Sequence, residues 1–151
     1  MSRRIFLHIG SPKTGTTFLQ QVLWANRSRA AAHGLLLPGR SVRDHYWASL
    51  DLRGAAGVEP GREAAVGAWE ALVAKAAGWD RDVLVSHETF ALATDEEAGR
   101  AVETFRDLGF GVEIVITARD LERQLPAHWQ EAVKARSRLG FDEFLAEELG
   151  P

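Results

Sequence analysis

The chain contains no cysteine, which excludes disulfides and thiol chemistry and leaves the redox compartment open. Lysine is scarce, with Lys13, Lys75 and Lys134 as the only three, while arginine is plentiful, a bias that fits a GC-rich coding sequence. The net charge is −3, so no global basic field points to nucleic acid or to an anionic membrane, and any anion binding has to be local. No apolar run is long enough to span a bilayer. Arg3 and Arg4 ahead of Ile5–Ile9 resemble the start of a signal peptide, but the run is short and ends at Gly10, Ser11, Pro12 and Lys13. A cytoplasmic protein is the expectation. His8, His33, His45, His87 and His128 are scattered without metal-ligand spacing, so no metal site is expected.

What is present suits one domain spanning 1–151. A chain of 151 residues, 46% hydrophobic and 26% charged, carries enough apolar surface for one sizeable core. Apolar runs at Ile5–Ile9, Leu35–Leu37, Asp82–Ser86 and Val112–Thr117 read as buried strands. Helical spacing separates them. Residues 16–32 place Phe18, Leu19, Val22 and Leu23 on one face, and Arg62–Ala77 places Val66, Trp69, Leu72, Val73 and Ala76 together. A capping box at Thr94–Glu97 opens a helix with Ala98, Val102, Phe105 and Leu108 inward. After Asp120 a helix with Leu125, Trp129, Ala132 and Val133 toward the core is expected, kinked or delayed by Pro126. Phe141–Leu149 reads as a short last helix. Residues 40–57 are ambiguous: Arg40, Arg43, Asp44, His45, Tyr46 and Trp47 line a site or form a surface helix. Alternating strands and helices predict a three-layer α/β/α domain with a mainly parallel sheet. Ligands of such sheets bind beyond the carboxyl ends of the strands.

The first such end is the most informative. Ile5–Ile9 runs into Gly10, Ser11, Pro12, Lys13, Thr14 and Gly15, and helical spacing starts at Thr16. A strand, a glycine-rich loop and a helix N-terminus together make an anion site from backbone N–H groups. A nucleotide-triphosphate loop carries Lys directly after the second glycine; Thr16 stands there, and Lys13 leaves from the crown of the loop instead. The blander alternative is an ordinary connection capped by Thr14 or Thr16. The run from Pro12 through Thr17 resembles the 5′-phosphosulfate loop of sulfotransferases that use 3′-phosphoadenosine 5′-phosphosulfate (PAPS). That resemblance implies a P-loop-like sulfotransferase topology. It also implies a cofactor site at Gly10, Ser11, Pro12, Lys13, Thr14, Gly15, Thr16 and Thr17, with Lys13 acting on the bridging and leaving oxygens.

The resemblance extends to Arg119, which follows the fourth apolar run as the family's 3′-phosphate arginine does. The family serine expected eight positions later is absent; Ala127 stands there, with Gln124 and His128 as possible replacements. An ion pair on a solvated loop is the alternative role for Arg119. The family implies a histidine or glutamate as general base, for which Glu88, His87 and His45 are the candidates. Each also has an ordinary role: first-turn acid, strand-end hydrogen-bonder, surface side chain. Family domains are longer, so the chain is expected to lack the C-terminal part of the domain. The implied activity is sulfuryl transfer from PAPS, without a metal, to a hydroxyl or amine of a small-molecule or carbohydrate acceptor. A P-loop nucleotide or sugar kinase and a catalytically silent nucleotide-binding remnant are the alternatives.

Overall fold

The computed structural model describes residues 3–57 and 62–150. Four strands form one all-parallel sheet: β1 (Arg4–His8), β2 (Leu35–Leu36), β3 (Asp82–Ser86) and β4 (Gly111–Val115), in the order β2-β3-β1-β4. The described helices are α1 (Thr16–Ala25), α2 (Arg27–Ala32), α3 (Val42–Leu52), α4 (Ala68–Ala77), α5 (Asp95–Asp107), α6 (Leu121–Lys134) and α7 (Phe141–Leu149). The fold is α/β and consistent with three layers, as the alternating pattern predicts.

Parallel register puts Ile5 beside Val83 and Val112, and Leu7 beside Val85 and Ile114. Side chains on a strand alternate between faces, so these residues share one face of the sheet. That face carries the core, where Ile5, Leu7, Val83 and Val85 pack with Leu52 of α3, Trp69, Leu72 and Ala76 of α4, and Ala101 and Phe105 of α5. Trp69 and Phe110 both meet Phe105 edge-on, at ring distances of 5.5 and 6.1 Å. The opposite face presents His8 beside Ser86, and Gln20 of α1 comes down onto Ser86. One face is therefore an apolar core and the other, at the strand ends, a polar junction.

Several expected helix faces are placed differently. α1 buries Thr16 and Gln20 while Phe18, Leu19 and Val22 face outward, Phe18 being 73% exposed. The apolar spacing was real, but the polar junction at Ser86 and the loop below it decide how α1 turns. α6 likewise has no buried residue, with Val133 largely exposed; Trp129 packs against Phe141 of α7 and donates to the Leu139 carbonyl instead of entering the core. Val66, expected inward, is exposed, because residues Glu63–Ala65 form a 3-10 turn and α4 starts only at Ala68. The long first helix breaks at Asn26, whose side chain bonds the Val22 carbonyl. Pro126 sits inside α6 without ending it. The ambiguous segment is α3, with Ala48, Leu50 and Leu52 inward. Among the described residues no helix is long and apolar enough to cross a membrane.

Candidate functional site

The carboxyl ends of β1, β3 and β4 meet at one edge of the sheet, and the loop 10–15 lies across it. Pairing continues past the strands, with Ile9 donating to the Val115 carbonyl and Ser11 to the Thr117 carbonyl. The loop then turns through two left-handed residues, Lys13 at φ 67° and Gly15 at φ 89°. Glycine suits the second at no steric cost. Lys13 is a non-glycine residue held in that region, which marks a conformation imposed by its surroundings. Gly15 then opens α1 directly: no side chain caps the helix and its first turn holds no acid. The first N–H groups of α1 are thus left for another acceptor, and their partial positive charge is not offset locally.

Gly10 has a different reason to be glycine. A Cβ there would lie 1.8 Å from the Thr117 hydroxyl oxygen, so the bare backbone is what lets the segment after β4 close over the loop. Gly10→Ala is expected to push Thr117 aside and cost about 1–3 kcal/mol, the usual penalty of overpacking; urea unfolding monitored by fluorescence checks it.

Around the loop stand groups from α6 and from the segment that leads into it. The Arg119 guanidinium donates to the Lys13 carbonyl at 3.3 Å, and Gln124 of α6 donates to the Pro12 carbonyl at 2.7 Å. The Lys13 ammonium pairs with Glu131 of α6 at 2.6 Å. Lys13 and Lys134 beside it hold the Glu131 carboxyl below the usual carboxylate range. Both partners are partly exposed to solvent, so this pair contributes little stability, yet it sets a carboxylate on the loop's one lysine. His128 turns away and packs edge-on against Phe144. Of the two side chains near position 127, Gln124 is the one on the loop.

The second set of residues hangs from the end of β3. Glu88 opens a 3-10 turn (Glu88–Leu92) and accepts from Gln20 Nε2 at 3.5 Å. His87 caps that turn: its Nδ1 accepts from the Thr89 N–H and meets the Thr89 hydroxyl at 2.7 Å, and its ring lies 5.1 Å from that of Tyr46. Burial pushes His87 below the ordinary histidine range, with Glu88 opposing. His45 is fully buried, not a surface side chain. Its Nδ1 accepts from the Ser86 N–H at 3.1 Å and its Nε2 donates to the Pro38 carbonyl at 2.7 Å. Burial holds its pKa at about 4. With both nitrogens committed to backbone, His45 has none to offer an acceptor; it bolts α3 to β3 and to the segment after β2.

Sequence reasoning missed His8, which the structure puts at the centre. It is 2% exposed at the end of β1, with Nδ1 2.7 Å from the Ser86 hydroxyl and Nε2 3.2 Å from that of Thr117. Burial lowers its pKa, with Glu88 again opposing. The signal in the sequence was a histidine inside an otherwise apolar strand, a buried polar group that needs partners. Among the described residues no cluster has the acids, histidines or cysteines to hold a metal ion. Chemically, the edge offers an uncapped helix N-terminus with Lys13 and Arg119 beside it, and a carboxylate and an imidazole a short way along. No protein-family model matches the chain, and no curated protein does.

Proposed function

We propose that the loop 10–17 is a phosphosulfate cradle and that the protein transfers a sulfuryl group from PAPS to a hydroxyl or amine acceptor. The observation that carries this reading is the uncapped, acid-free N-terminus of α1 flanked by Lys13 and by Arg119, whose guanidinium touches the loop backbone. Such an N-terminus favours an anion. Two cations at separate points favour one with two phosphate positions, and guanidinium suits bidentate phosphate binding. On this reading the Gly15, Thr16 and Thr17 N–H groups and the threonine hydroxyls hold the 5′-phosphate. Lys13 neutralises charge growing on the leaving oxygens, and Arg119 meets the 3′-phosphate.

Sulfuryl transfer asks little covalent work of a protein and much positioning and charge stabilisation. The acceptor oxygen or nitrogen attacks sulfur, the bond from sulfur to the bridging phosphate oxygen breaks, and the acceptor's proton passes to a base. Glu88 is the base we favour, because it stands at a strand end and, among the described residues, its carboxylate accepts a hydrogen bond from Gln20 alone. His87 is the second candidate: its Nε2 makes no hydrogen bond among the described residues. A P-loop-like topology and a cytoplasmic location belong to the same proposal. A kinase is disfavoured because Thr16 stands where that chemistry needs lysine.

Two outcomes follow at the loop. The donor has to displace Glu131 from Lys13, so Glu131→Gln is expected to tighten binding of 3′-phosphoadenosine 5′-phosphate several-fold; calorimetry reads the change. Arg119→Ala is expected to weaken that nucleotide about tenfold or more while leaving adenosine 5′-phosphosulfate nearly unaffected. Equal losses for both ligands would remove Arg119 from the 3′-phosphate. Tight MgATP binding in place of either would turn the reading to a kinase. Nucleotide binding with no transfer to a broad acceptor panel would leave a silent nucleotide-binding protein.

A further inference from the structure

Donor and acceptor counting fixes the hydroxyl and imidazole protons in the chain of side chains that crosses the strand ends. The Thr14 hydroxyl lies 2.6 Å from the Ser11 carbonyl, which only accepts, so the single Thr14 proton goes there. Thr117 lies 2.9 Å from Thr14 and must therefore donate to it. His8 Nε2 then has to donate to Thr117. A buried neutral imidazole with its proton on Nε2 has an accepting Nδ1, so the Ser86 hydroxyl donates to His8. Gln20 Nε2 completes the line by donating to Ser86, whose carbonyl and hydroxyl oxygens both lie at 3.3 Å. The same amide nitrogen reaches Glu88. Each hydroxyl gives one proton and receives one, in a single direction from Gln20 to the loop.

We propose that His8, as its Nε2–H tautomer, is a positioning residue for the loop: it ties the Glu88 end of the site to Thr14 and, from the strand side, helps hold the crown 13–15 in its binding shape. The consequence for ligand affinity rests on the reading of that loop as a phosphosulfate cradle. Three features of the fold agree with the relay. Gly10 leaves open the space that the Thr117 hydroxyl occupies. α1 turns Gln20 inward and leaves Phe18, Leu19 and Val22 outward, so the polar contact to Ser86 takes precedence over burying its apolar face. Lys13, just before Thr14, is kept in a left-handed conformation, in a crown that Arg119 and Gln124 also hold by the Lys13 and Pro12 carbonyls. His8 touches neither donor nor acceptor in this account; it acts through Ser86, Thr117 and Thr14.

Removing His8 risks the fold, so the test uses a spectrum of the unaltered protein and two Thr117 variants. Long-range nitrogen–proton correlation at neutral pH is expected to show His8 neutral with its proton on Nε2; a proton on Nδ1 would overturn the relay. Thr117→Val is nearly isosteric but cannot pass a hydrogen bond, whereas Thr117→Ser can. In ligand-free protein, nitrogen relaxation of the 13–15 amides is expected to show a mobile crown in Thr117→Val and a rigid one in Thr117→Ser. Equal rigidity in both variants would overturn the proposal. For 3′-phosphoadenosine 5′-phosphate, Thr117→Val is expected to bind about tenfold more weakly and Thr117→Ser within about threefold of the parent. If the parent itself does not bind this nucleotide, the phosphosulfate reading falls, and the tautomer and loop relaxation still decide the relay.

Discussion

Replacing Lys13 by alanine is expected to slow release of 3′-phosphoadenosine 5′-phosphate from PAPS by about 100- to 1,000-fold, to water or to whichever acceptor turns over. That is the loss typical of deleting one group aimed at developing charge in a sheltered site. The loop has no second lysine to substitute, and Arg119, though near, is engaged with the Lys13 carbonyl rather than the reacting end of the ligand. Lys13→Arg is expected to recover only part of the rate, because a planar guanidinium fork does not reproduce the compact ammonium charge. Thermal unfolding of Lys13→Ala should stay close to that of the parent, since the ion pair it removes is exposed. A rate loss with unchanged stability places the lysine in the chemistry. A rate within threefold of the parent would remove it.

The second large effect is on stability against acid. His45 is buried with its Nδ1 accepting from the Ser86 N–H, so a proton added there would set two N–H groups against each other inside the core. Its folded pKa of about 4 lies below the ordinary 6.5, which means the unfolded chain binds the proton more readily. The folded state accordingly has its full margin above about pH 6.5 and loses it as the pH falls toward 4. At 1.36 kcal/mol per pH unit the whole loss from this one ring is about 3 kcal/mol, and about 2 kcal/mol of it has gone by pH 5. His8 and His87 are lowered as well, so they add in the same direction. Urea unfolding at pH 7.5 and pH 5 measures the difference. His45→Gln is expected to be less stable at pH 7.5 but distinctly flatter with pH; a parent protein equally stable at both would contradict the role given to His45.

Elements with a strong local signature were legible in the residues. The four apolar runs became the four parallel strands, and Thr94 with Glu97 formed the capping box that starts α5. The position of the loop between β1 and α1 was legible because two backbone requirements are written there as glycine: the close approach of Thr117 at Gly10 and the left-handed turn at Gly15. What could not be read was which face of an amphipathic helix the tertiary structure would use. α1 looked as though it should bury Phe18, Leu19 and Val22, but a polar contact at Ser86, 66 residues away from Gln20, fixes its rotation. Long-range polar pairs leave no periodic trace. His8 and His45 were missed or misjudged for the same reason. His45 sits in a polar stretch that reads as surface, yet α3 carries it into the core against Trp24, with ring centres 5.2 Å apart. Pro126 neither delays the start of α6, which begins at Leu121, nor ends it, and the helix continues past it to Lys134.

The claim on which everything else depends is that the N-terminus of α1 and Lys13 form a site for a 3′,5′-bisphosphorylated adenosine. Calorimetric titration of the parent and of Lys13→Ala with 3′-phosphoadenosine 5′-phosphate, in buffer containing a chelator, tests it most directly. The account predicts saturable one-to-one binding to the parent without any divalent cation, and its loss in the variant. No saturable heat from the parent, or the same affinity in Lys13→Ala, would contradict it.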